Sequence, residues 1–384
     1  MIKLKIDNFG PIKHAELDFK KINILIGQQG AGKSCILKIA AFCMWLEKVY
    51  LSGEIDDLQR GISQKEFVEK HLLEFYKLDE YAVVADNKYS TISFNDNDNI
   101  KIFIDFKAAD DNWMNIVEIE KPTAQKRVAY IPAERCLVSA IPNLLEIRLN
   151  DTCILNYLVD WEHGHKYYTE KNRLDILGLN AEFFYDPGSR TDYLLIKDHG
   201  VSKVIRLSNA ASGFQSVVPI CVLTKFYLEN DDTISVREKI TNSRNNLSAH
   251  NRDCTLFIEE PEENLFPETQ YRLVKWLMSE LDNGYYNSLF MTTHSPYILT
   301  ILNNFIQAAK VGNKFPDKIN DLLKKEYWLP SDNVAAYYLA NGNLQNIIDT
   351  ELGEIDPELI DEISKTINHE YGLMRNIEYG IEED

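Results

Sequence analysis

Cysteine is scarce in this chain, and the few cysteines present are not paired in sequence. They lie at positions 35, 43, 136, 153, 221 and 254 and form no Cys-x-x-Cys motif. This spacing argues against a zinc ribbon or a disulfide framework, and it suits a protein of the reducing cytosol.

Long apolar runs and an excess of basic residues are also missing. No stretch of about 18 or more apolar residues occurs, so no membrane-spanning helix is predicted. The first residues, MIKLKIDNFG, alternate as a strand would and are not typical of a signal peptide. With 41 Lys and Arg against 59 Asp and Glu, the net charge of −18 weakens a role in broad, non-specific DNA binding. The net charge does not exclude a local basic groove. We expect a cytoplasmic protein with no membrane partner.

The segment NILIGQQGAGKSCILK, residues 23–38, carries the clearest chemical signal. Its spacing Gly27-x-x-x-x-Gly32-Lys33-Ser34 fits the P-loop pattern, in which backbone N–H groups face phosphate oxygens, the lysine reaches the β- and γ-phosphates and the serine binds Mg²⁺. A chance match at an ordinary strand-to-helix turn is the alternative. A β-rich run before the loop and apolar residues at helical spacing after it favour the nucleotide site. The residues expected to contact nucleotide are Gly27, Gln28, Gln29, Gly30, Ala31, Gly32, Lys33 and Ser34.

A second chemical signal is the acidic segment CTLFIEEPEENLFP, residues 254–267. A short apolar run ends in Glu259 and Glu260. A strand that delivers one acid beside a P-loop can hold Mg²⁺, and the next acid can orient or deprotonate a water molecule. A solvated acidic turn before a helix that starts at Pro267 explains the same residues about equally well. The presence of a P-loop earlier in the chain favours the functional interpretation.

Two further segments contribute candidate residues. LFMTTHS, residues 289–295, is another apolar run, and it ends at His294, which we expect at the same sheet edge as the acids. A lone histidine is more often structural, but here it could donate to a γ-phosphate. SNAASGFQS, residues 208–216, places Ser212 at a helix N-cap. An ordinary capped helix is the simpler interpretation, and a phosphate-binding helix start that serves a second copy is the alternative.

The remaining pattern predicts alternating helices and strands. IKLKIDNFGPIKHAELDF is expected to form a β-hairpin, and the alternating run from residue 81 to 106 a small antiparallel sheet. Residues 136–181 are expected to be mostly helical, and FFYDPGSRTDYLLIKDHGVSKVIRL, residues 183–207, to form strands joined by Asp-Pro-Gly and His-Gly turns. Residues 229–253 are expected to be an exposed insertion, and VAAYYLA to be a strand followed by a helix that Asp356 caps. Further helices are predicted over 34–50, 64–78, 212–228 and 268–281.

Taken in order, six motifs resemble those of one ATPase class: IDNFGPIKHAELDF, GQQGAGKS, YIPAER, ASGFQS, FIEEPEENLFP and TTHSP. They resemble the ABC-type ATPases of the structural-maintenance-of-chromosomes (SMC), RecF and OLD kind. More narrowly, the chain resembles stand-alone bacterial ATPase subunits of anti-phage systems of the Septu or PARIS type. The resemblance implies an α/β fold, an ABC-type P-loop ATPase head with a mixed sheet, an antiparallel β subdomain and a short helical arm insertion. The domains would be an N-terminal lobe (1–135), the arm (136–205) and a C-terminal lobe (206–384).

The same resemblance implies a role for each matching residue. ATP and Mg²⁺ would be the ligands, and Gly27 to Ser34 would form the Walker A loop. Glu260 would be the catalytic base and His294 the switch histidine. Two ATP molecules would be sandwiched in a homodimer or a higher oligomer. The metal positions are Ser34 and Glu259, and the signature residues that contact ATP across the dimer are Ser212, Gly213 and Gln215.

Several positions depart from the pattern of these ATPases. Gln28 and Gln29 replace a common Asn-Gly pair, Phe214 replaces a signature glycine, and Glu259 replaces the more frequent Asp. Glu134 of YIPAER is the candidate for the place of the Q-loop glutamine. The arm is too short for a long coiled coil and shows no sustained heptad seam. The tail after His294 lacks the acidic cluster of a fused Toprim nuclease.

The sequence therefore predicts a Mg²⁺-dependent ATPase that senses or gates a separate effector protein, a nuclease or a toxin, in anti-phage defence. One alternative is a RecF-like DNA-repair ATPase, for which nucleic acid would be a partner. The other is a nucleotide-binding scaffold with little turnover.

Overall fold

The structure is a computed structural model, and it describes most of the chain. The described residues are 2–51, 61–81, 89–97, 99–106, 111–118, 127–140, 152–198, 200–229, 253–282, 286–349, 351–356, 369–371 and 374.

One large mixed sheet organises the described part of the fold. Its eleven strands run in the order β6-β5-β4-β1-β2-β15-β14-β3-β13-β12-β7. The strands are β1 (Ile2–Phe9), β2 (Ile12–Asp18), β3 (Ile22–Gly27), β4 (Thr91–Asp96), β5 (Ile100–Asp105), β6 (Met114–Glu118), β7 (Arg127–Ile131), β12 (Cys254–Glu259), β13 (Ser288–Thr293), β14 (Val334–Ala340) and β15 (Asn343–Asn346).

The two halves of this sheet differ in strand direction. From β14 through β3, β13 and β12 to β7 every pair is parallel, whereas β6, β5, β4, β1 and β2 pair antiparallel. The parallel strands β3 and β12 are buried along their whole length, which explains their continuous apolar runs. The predicted α/β class with a mixed sheet is confirmed. The predicted antiparallel strands are present, but β4 pairs with β1, so they extend the main sheet instead of forming a separate small one.

Eight α-helices lie in the described part of the chain. They are α1 (Lys33–Leu51), α2 (Gln64–Val68, continued by a π-helical segment Glu69–Glu74), α3 (Leu137–Ala140), α4 (Cys153–Gly164), α5 (Ser212–Glu229), α6 (Pro267–Leu281), α7 (Pro296–Gly312) and α8 (Pro316–Leu322). The long helix α1 packs on the parallel half of the sheet, against β3, β12, β13 and β7, while α5 contacts α4, α6, β7 and β12. The short α2 contacts β6 of the antiparallel half. These bounds agree with the four helices predicted from periodicity to within a few residues.

The segment 136–205 differs from the expected short helical arm. Its described part contains α3 and α4, but also a separate four-stranded antiparallel sheet. The strands are β8 (Leu174–Asp175), β9 (Ala181–Asp186), β10 (Thr191–Asp198) and β11 (Val201–Arg206). The prediction that 136–181 is mostly helical was therefore wrong for its second half, because the chain after Tyr167 leaves the helix for β8 and β9, and Phe183 on β9 packs on the buried Trp161.

Strands β14 and β15 were not expected between β2 and β3. VAAYYLA is a strand as predicted, but it pairs parallel to the P-loop strand β3, and β15 then pairs with β14 and β2. The sequence-distant C-terminal segment thus separates the N-terminal hairpin from β3. The expected insertion at 229–253 and the helix after Asp356 lie almost wholly outside the described residues. Within the described part of the chain, no helix has the length and hydropathy needed to cross a membrane.

Tyr337 provides a test of this unexpected strand placement. Its hydroxyl accepts a hydrogen bond from Asp18 N (2.7 Å) and donates to Asp18 O (3.2 Å), which links β14 to the end of β2. We expect Tyr337→Phe to lower the free energy of unfolding by about 1 kcal/mol, the usual contribution of such a bond. Tyr338→Phe is the matched control, because the next side chain on a strand points to the opposite face. Equal losses in denaturant titrations of the two variants would contradict the contact.

Candidate functional site

The P-loop follows β3 and turns into α1, as the spacing predicts. Gly27 is required by close packing, since a Cβ there would lie 2.4 Å from the carbonyl oxygen of Leu339 on β14. Gly32 has φ +109, and a Cβ would lie 2.8 Å from Pro11 in the N-terminal hairpin. The loop is therefore confined by two other segments of the chain. Residues 28–30 at its tip are exposed, while Ala31 and Ser34 are half-buried.

Lys33 is folded back over the loop. Its ammonium donates to the carbonyl oxygens of Gly27 (2.8 Å) and Gln28 (3.0 Å), and the residue is only 5% exposed. Burial lowers the pKa of Lys33, and the carboxylates of Glu260 and Glu262 oppose that shift. The lysine is thus a nearly buried cation held by loop carbonyls, a position from which it can reach phosphate oxygens.

His294 lies between Lys33 and Glu260. Its Nε2 is 3.1 Å from Lys33 Nζ and 2.9 Å from Glu260 Oε1. The structure thus brings together three of the predicted site residues, one from α1, one after β12 and one after β13. His294 Nδ1 is also 3.4 Å from Lys33 Nζ, so a ring that carries a proton on Nε2 can donate to Glu260 while Nδ1 faces the ammonium. The role of His294 as a switch residue stays a prediction.

Glu260 has an unusual backbone. Its φ is +42, a left-handed conformation that costs free energy for a residue with a side chain. The amide N of Glu260 donates to Thr292 O on β13 (3.0 Å), and its side chain is about one-third exposed (34%). The bend at Glu260 turns the chain out of β12 and points it towards the start of the next loop.

Glu259, the residue before the bend, has a different environment. It is 3% exposed, and both carboxylate oxygens accept hydrogen bonds from the β7 side: Oε1 from the Tyr130 hydroxyl (2.5 Å) and Oε2 from Ala133 N (3.2 Å). Burial and the charge of Glu259 raise the pKa of Tyr130 well above its usual value, so the phenol stays a donor. Each carboxylate oxygen keeps a second lone pair for another partner. The metal role of Glu259 stays a prediction.

Glu262 is a site residue that the sequence argument missed. Its Oε1 accepts from the Thr293 hydroxyl (2.8 Å) and from His294 N (2.5 Å), so it fixes the backbone that carries the histidine. The run EEPEEN contains four glutamates, and nothing in their spacing distinguishes the one that performs this role. Its contact depends on two strands distant in sequence.

Arg135 is the second missed residue. It belongs to the YIPAER motif, in which only Glu134 was considered, and it is fully buried (0% exposed). Its guanidinium donates to the carbonyl oxygens of Glu259 (2.9 Å) and Glu260 (2.7 Å). The feature of the sequence that could have pointed to Arg135 is a charged residue close to a proline at the end of a predicted strand.

The predicted signature residues lie at the start of α5. Ser212 is exposed and is the first residue of the helix. The N-cap position, where Ser212 was predicted, is therefore occupied by Ala211. A Cβ on Gly213 would lie 3.1 Å from Asn264 O, which places this turn against the loop after Glu260. Gln215 donates to Ser208 O and Ala210 O and accepts from the Ser139 hydroxyl. The side chain of Gln215 is therefore engaged within its own chain, and its contact with a second copy stays a prediction.

The donor set of the site is compatible with Mg²⁺. Ser34 and Glu259 offer a hydroxyl and a carboxylate, which are the oxygen donors that this cation prefers. Among the described residues no group of three or more His, Cys, Asp or Glu forms a metal cage. A cation held by one or two side chains together with substrate phosphates fits this composition.

Two stretches of the chain match protein-family models. Residues 3–148 match the model described as an AAA domain, and residues 165–299 match the model described as an AAA ATPase domain. The first stretch contains the P-loop, and the second contains the acidic and histidine segments. The chain thus carries ATPase-type sequence in both halves of the site. A comparison with curated proteins gave no match.

Solved structures with similar architecture are ATPase heads of low sequence identity. The SMC head domain from Thermotoga maritima is 11% identical, with 90% of this chain and 97% of that chain covered and a TM-score of 0.42. An Smc head bound to the C-terminal domain of ScpA derived from Pyrococcus furiosus is 10% identical (90% and 96% covered, TM-score 0.40). The recombination mediator RecF-ATPrS is 11% identical (90% and 97% covered, TM-score 0.41). Scores of this size carry no argument about function.

Lys33 tests the nucleotide site. Lys33→Ala removes the cation beside the loop, and we expect ATP to bind about 10- to 100-fold more weakly, the scale of losing a charged hydrogen bond. Lys38→Ala is the matched control, because it removes a lysine from the same helix one turn further on. Titration of both variants with a fluorescent ATP analogue gives the dissociation constants. Equal affinities for the two variants would contradict the assignment.

Proposed function

We propose that this protein is a Mg²⁺-dependent, ABC-type ATPase that couples ATP binding and hydrolysis to a separate effector protein, in the setting of anti-phage defence. The observation that supports it best is the convergence of Lys33, His294 and Glu260 within hydrogen-bonding distance at one edge of the parallel strands. A lysine that can bind phosphates and a carboxylate that can orient water are groups that phosphoryl transfer to water uses, and the histidine between them can donate to a γ-phosphate.

Each residue has a distinct role in the proposed reaction. Lys33 exchanges its loop carbonyls for the β- and γ-phosphates of ATP. Glu260 orients a water molecule and accepts its proton. His294 moves from its contact with Lys33 to the γ-phosphate and thereby reports whether that group is present. Ser34 and Glu259 would hold Mg²⁺. When bound, this cation neutralises phosphate charge.

Glu260→Gln separates binding from hydrolysis. The amide keeps the size of the side chain but cannot accept a proton, so we expect kcat to fall by about 10²- to 10⁴-fold while ATP affinity is retained. The control is Glu268→Gln in the first turn of α6, which makes the same change at an exposed glutamate outside the site. Steady-state phosphate release from purified protein measures both. Wild-type turnover in Glu260→Gln would remove Glu260 from the catalytic role.

The proposed assembly is a homodimer in which Ser212 and Gly213 of one copy contact ATP in the other. The exposure of Ser212 at the start of a long helix supports this arrangement. We expect Ser212→Arg to block ATP-dependent dimerisation, because a large cation would occupy the interface, while ATP affinity for the single chain remains.

Dimerisation is measured by multi-angle light scattering with ATP in the Glu260→Gln background, and turnover is measured by phosphate release from the same variants with Glu260 intact. Ser208→Arg, the same change in the exposed turn before α5, is the control. A mixture of Ser212→Arg and Lys33→Ala subunits should restore at most one composite site per dimer. A Ser212→Arg variant that still dimerises and turns over ATP would exclude the trans contact.

Three outcomes distinguish the proposed setting from its alternatives. Stable association with a nuclease or toxin subunit encoded beside it, with no degradation of DNA or RNA by the ATPase alone, supports effector gating. Turnover stimulated by DNA supports the RecF-like repair ATPase. ATP binding without measurable turnover supports the nucleotide-binding scaffold. The three assays use the same purified protein.

A further inference from the structure

Arg135 connects elements that the proposed reaction needs to move together. Its Nη1 donates to Glu259 O (2.9 Å) and its Nη2 to Glu260 O (2.7 Å), at the end of β12. The same guanidinium donates from Nε to Ser216 O (3.1 Å) and from Nη2 to Ser216 Oγ (2.8 Å), one turn into α5. One planar group therefore spans the backbone of the two acids and the helix that begins at Ser212.

The burial of Arg135 makes this bridge costly unless every donor is used. A buried charge without partners is strongly unfavourable. Here carbonyl dipoles provide most of the compensation, and the nearest carboxylate oxygen, on Glu263, is 3.5 Å from Nη2. A lysine could not replace the bridge, because its single nitrogen lacks the flat fork that reaches two elements at once.

The carbonyl that Arg135 binds belongs to the strained residue Glu260. With φ +42 and a side chain, this residue keeps its conformation only if its surroundings impose it. Thr292 binds its amide N from β13, and Arg135 binds its carbonyl from the side of β7. The direction of the Glu260 carboxylate therefore depends on both contacts.

We propose that Arg135 is a positioning residue that holds Glu260 in its bent conformation and ties it to α5, so that a displacement at the start of α5 reorients the carboxylate. This inference rests on the proposed function and adds a route by which a second copy of the chain, bound at Ser212 and Gly213, controls hydrolysis. The carbonyl of Arg135 also accepts from the Tyr157 hydroxyl (2.7 Å), so α4 of the segment 136–205 is attached to the same point.

The first test compares turnover with affinity. Arg135→Lys retains the positive charge but loses the bridge, and we expect kcat to fall by about 10- to 100-fold with the Kd for ATP unchanged, the order of loss for a misplaced catalytic group. Ser216→Ala removes one acceptor without disturbing the buried charge, and we expect kcat to fall by about 3- to 10-fold. The matched control is Arg127→Lys, a buried arginine at the other end of β7, opposite Cys254.

The second test separates positioning from a general loss of structure. If Arg135 acts through Glu260, Arg135→Lys should cost nothing further in the Glu260→Gln background, because the group that it positions is already inactive. A purely structural role would lower turnover by the same factor in both backgrounds. Thermal unfolding of each variant with and without ATP shows whether a folded protein is being compared. If Arg135→Lys does not fold, the kcat of Ser216→Ala is compared in the same two backgrounds, with Glu260 and with Glu260→Gln.

The outcomes distinguish this inference from the function on which it rests. Wild-type turnover that Glu260→Gln abolishes supports the proposed function. If Arg135→Lys and Ser216→Ala then keep wild-type kcat, or if their losses persist in the Glu260→Gln background, only the positioning role is overturned. If the wild-type protein binds ATP but does not turn it over, both the hydrolytic function and the positioning role are overturned. If Arg135→Lys lowers kcat when Glu260 is present but causes no further loss in the Glu260→Gln variant, the positioning role of Arg135 is supported.

Discussion

The site depends on the parallel register of β3, β13 and β12. Thr293 pairs with Ile26, and Glu259 pairs with Thr292, so the three strands end at the same edge of the sheet. Because of that register, the loop after Gly27, the histidine after Thr293 and the bend at Glu260 are neighbours in space. A shift of one residue in either pairing would turn the strand's side chains to the opposite faces of the sheet and separate the groups.

The sequence was informative where local chemistry and periodicity agree. The glycines of the P-loop, the continuous apolar runs of β3, β12 and β13, and the periodic apolar residues of α1 and α6 each specify their own structure. Their order along the chain is enough to place Lys33, Glu260 and His294 at one edge. The main elements of the fold and the central three residues of the candidate site could therefore be predicted.

The remainder depends on contacts between residues far apart in sequence. Nothing in VAAYYLA indicates that it inserts between the first hairpin and β3, since Asp18 and Tyr337 meet only in the folded sheet. The strands predicted over 183–207 are present as β9, β10 and β11, but the residues between Tyr167 and β9 were predicted as helix, and the contact of Phe183 with Trp161 that holds this sheet against α4 forms only in the folded chain. Arg135 and Glu262 were missed for a similar reason, because partners such as Ser216 for Arg135 and Thr293 for Glu262 lie far away in the sequence, and the backbone atoms among their partners carry no sequence signal. A buried arginine that binds carbonyl groups cannot be distinguished in the sequence from an exposed one.

Charge balance at the site explains why the proposed substrate must arrive with a cation. Lys33 is close enough to Glu260 and Glu262 for both carboxylates to oppose the effect of burial on its pKa. The charge of Lys33 is thus already balanced by acids. A triphosphate would add further negative charge beside Glu259, Glu260 and Glu262. Lys33 alone cannot compensate for that charge in a partly buried site, where repulsion is weakly screened. In the proposed reaction, the acids that would activate water therefore also require a divalent cation, and the hydroxyl of Ser34 and the remaining lone pairs of Glu259 would be its oxygen ligands.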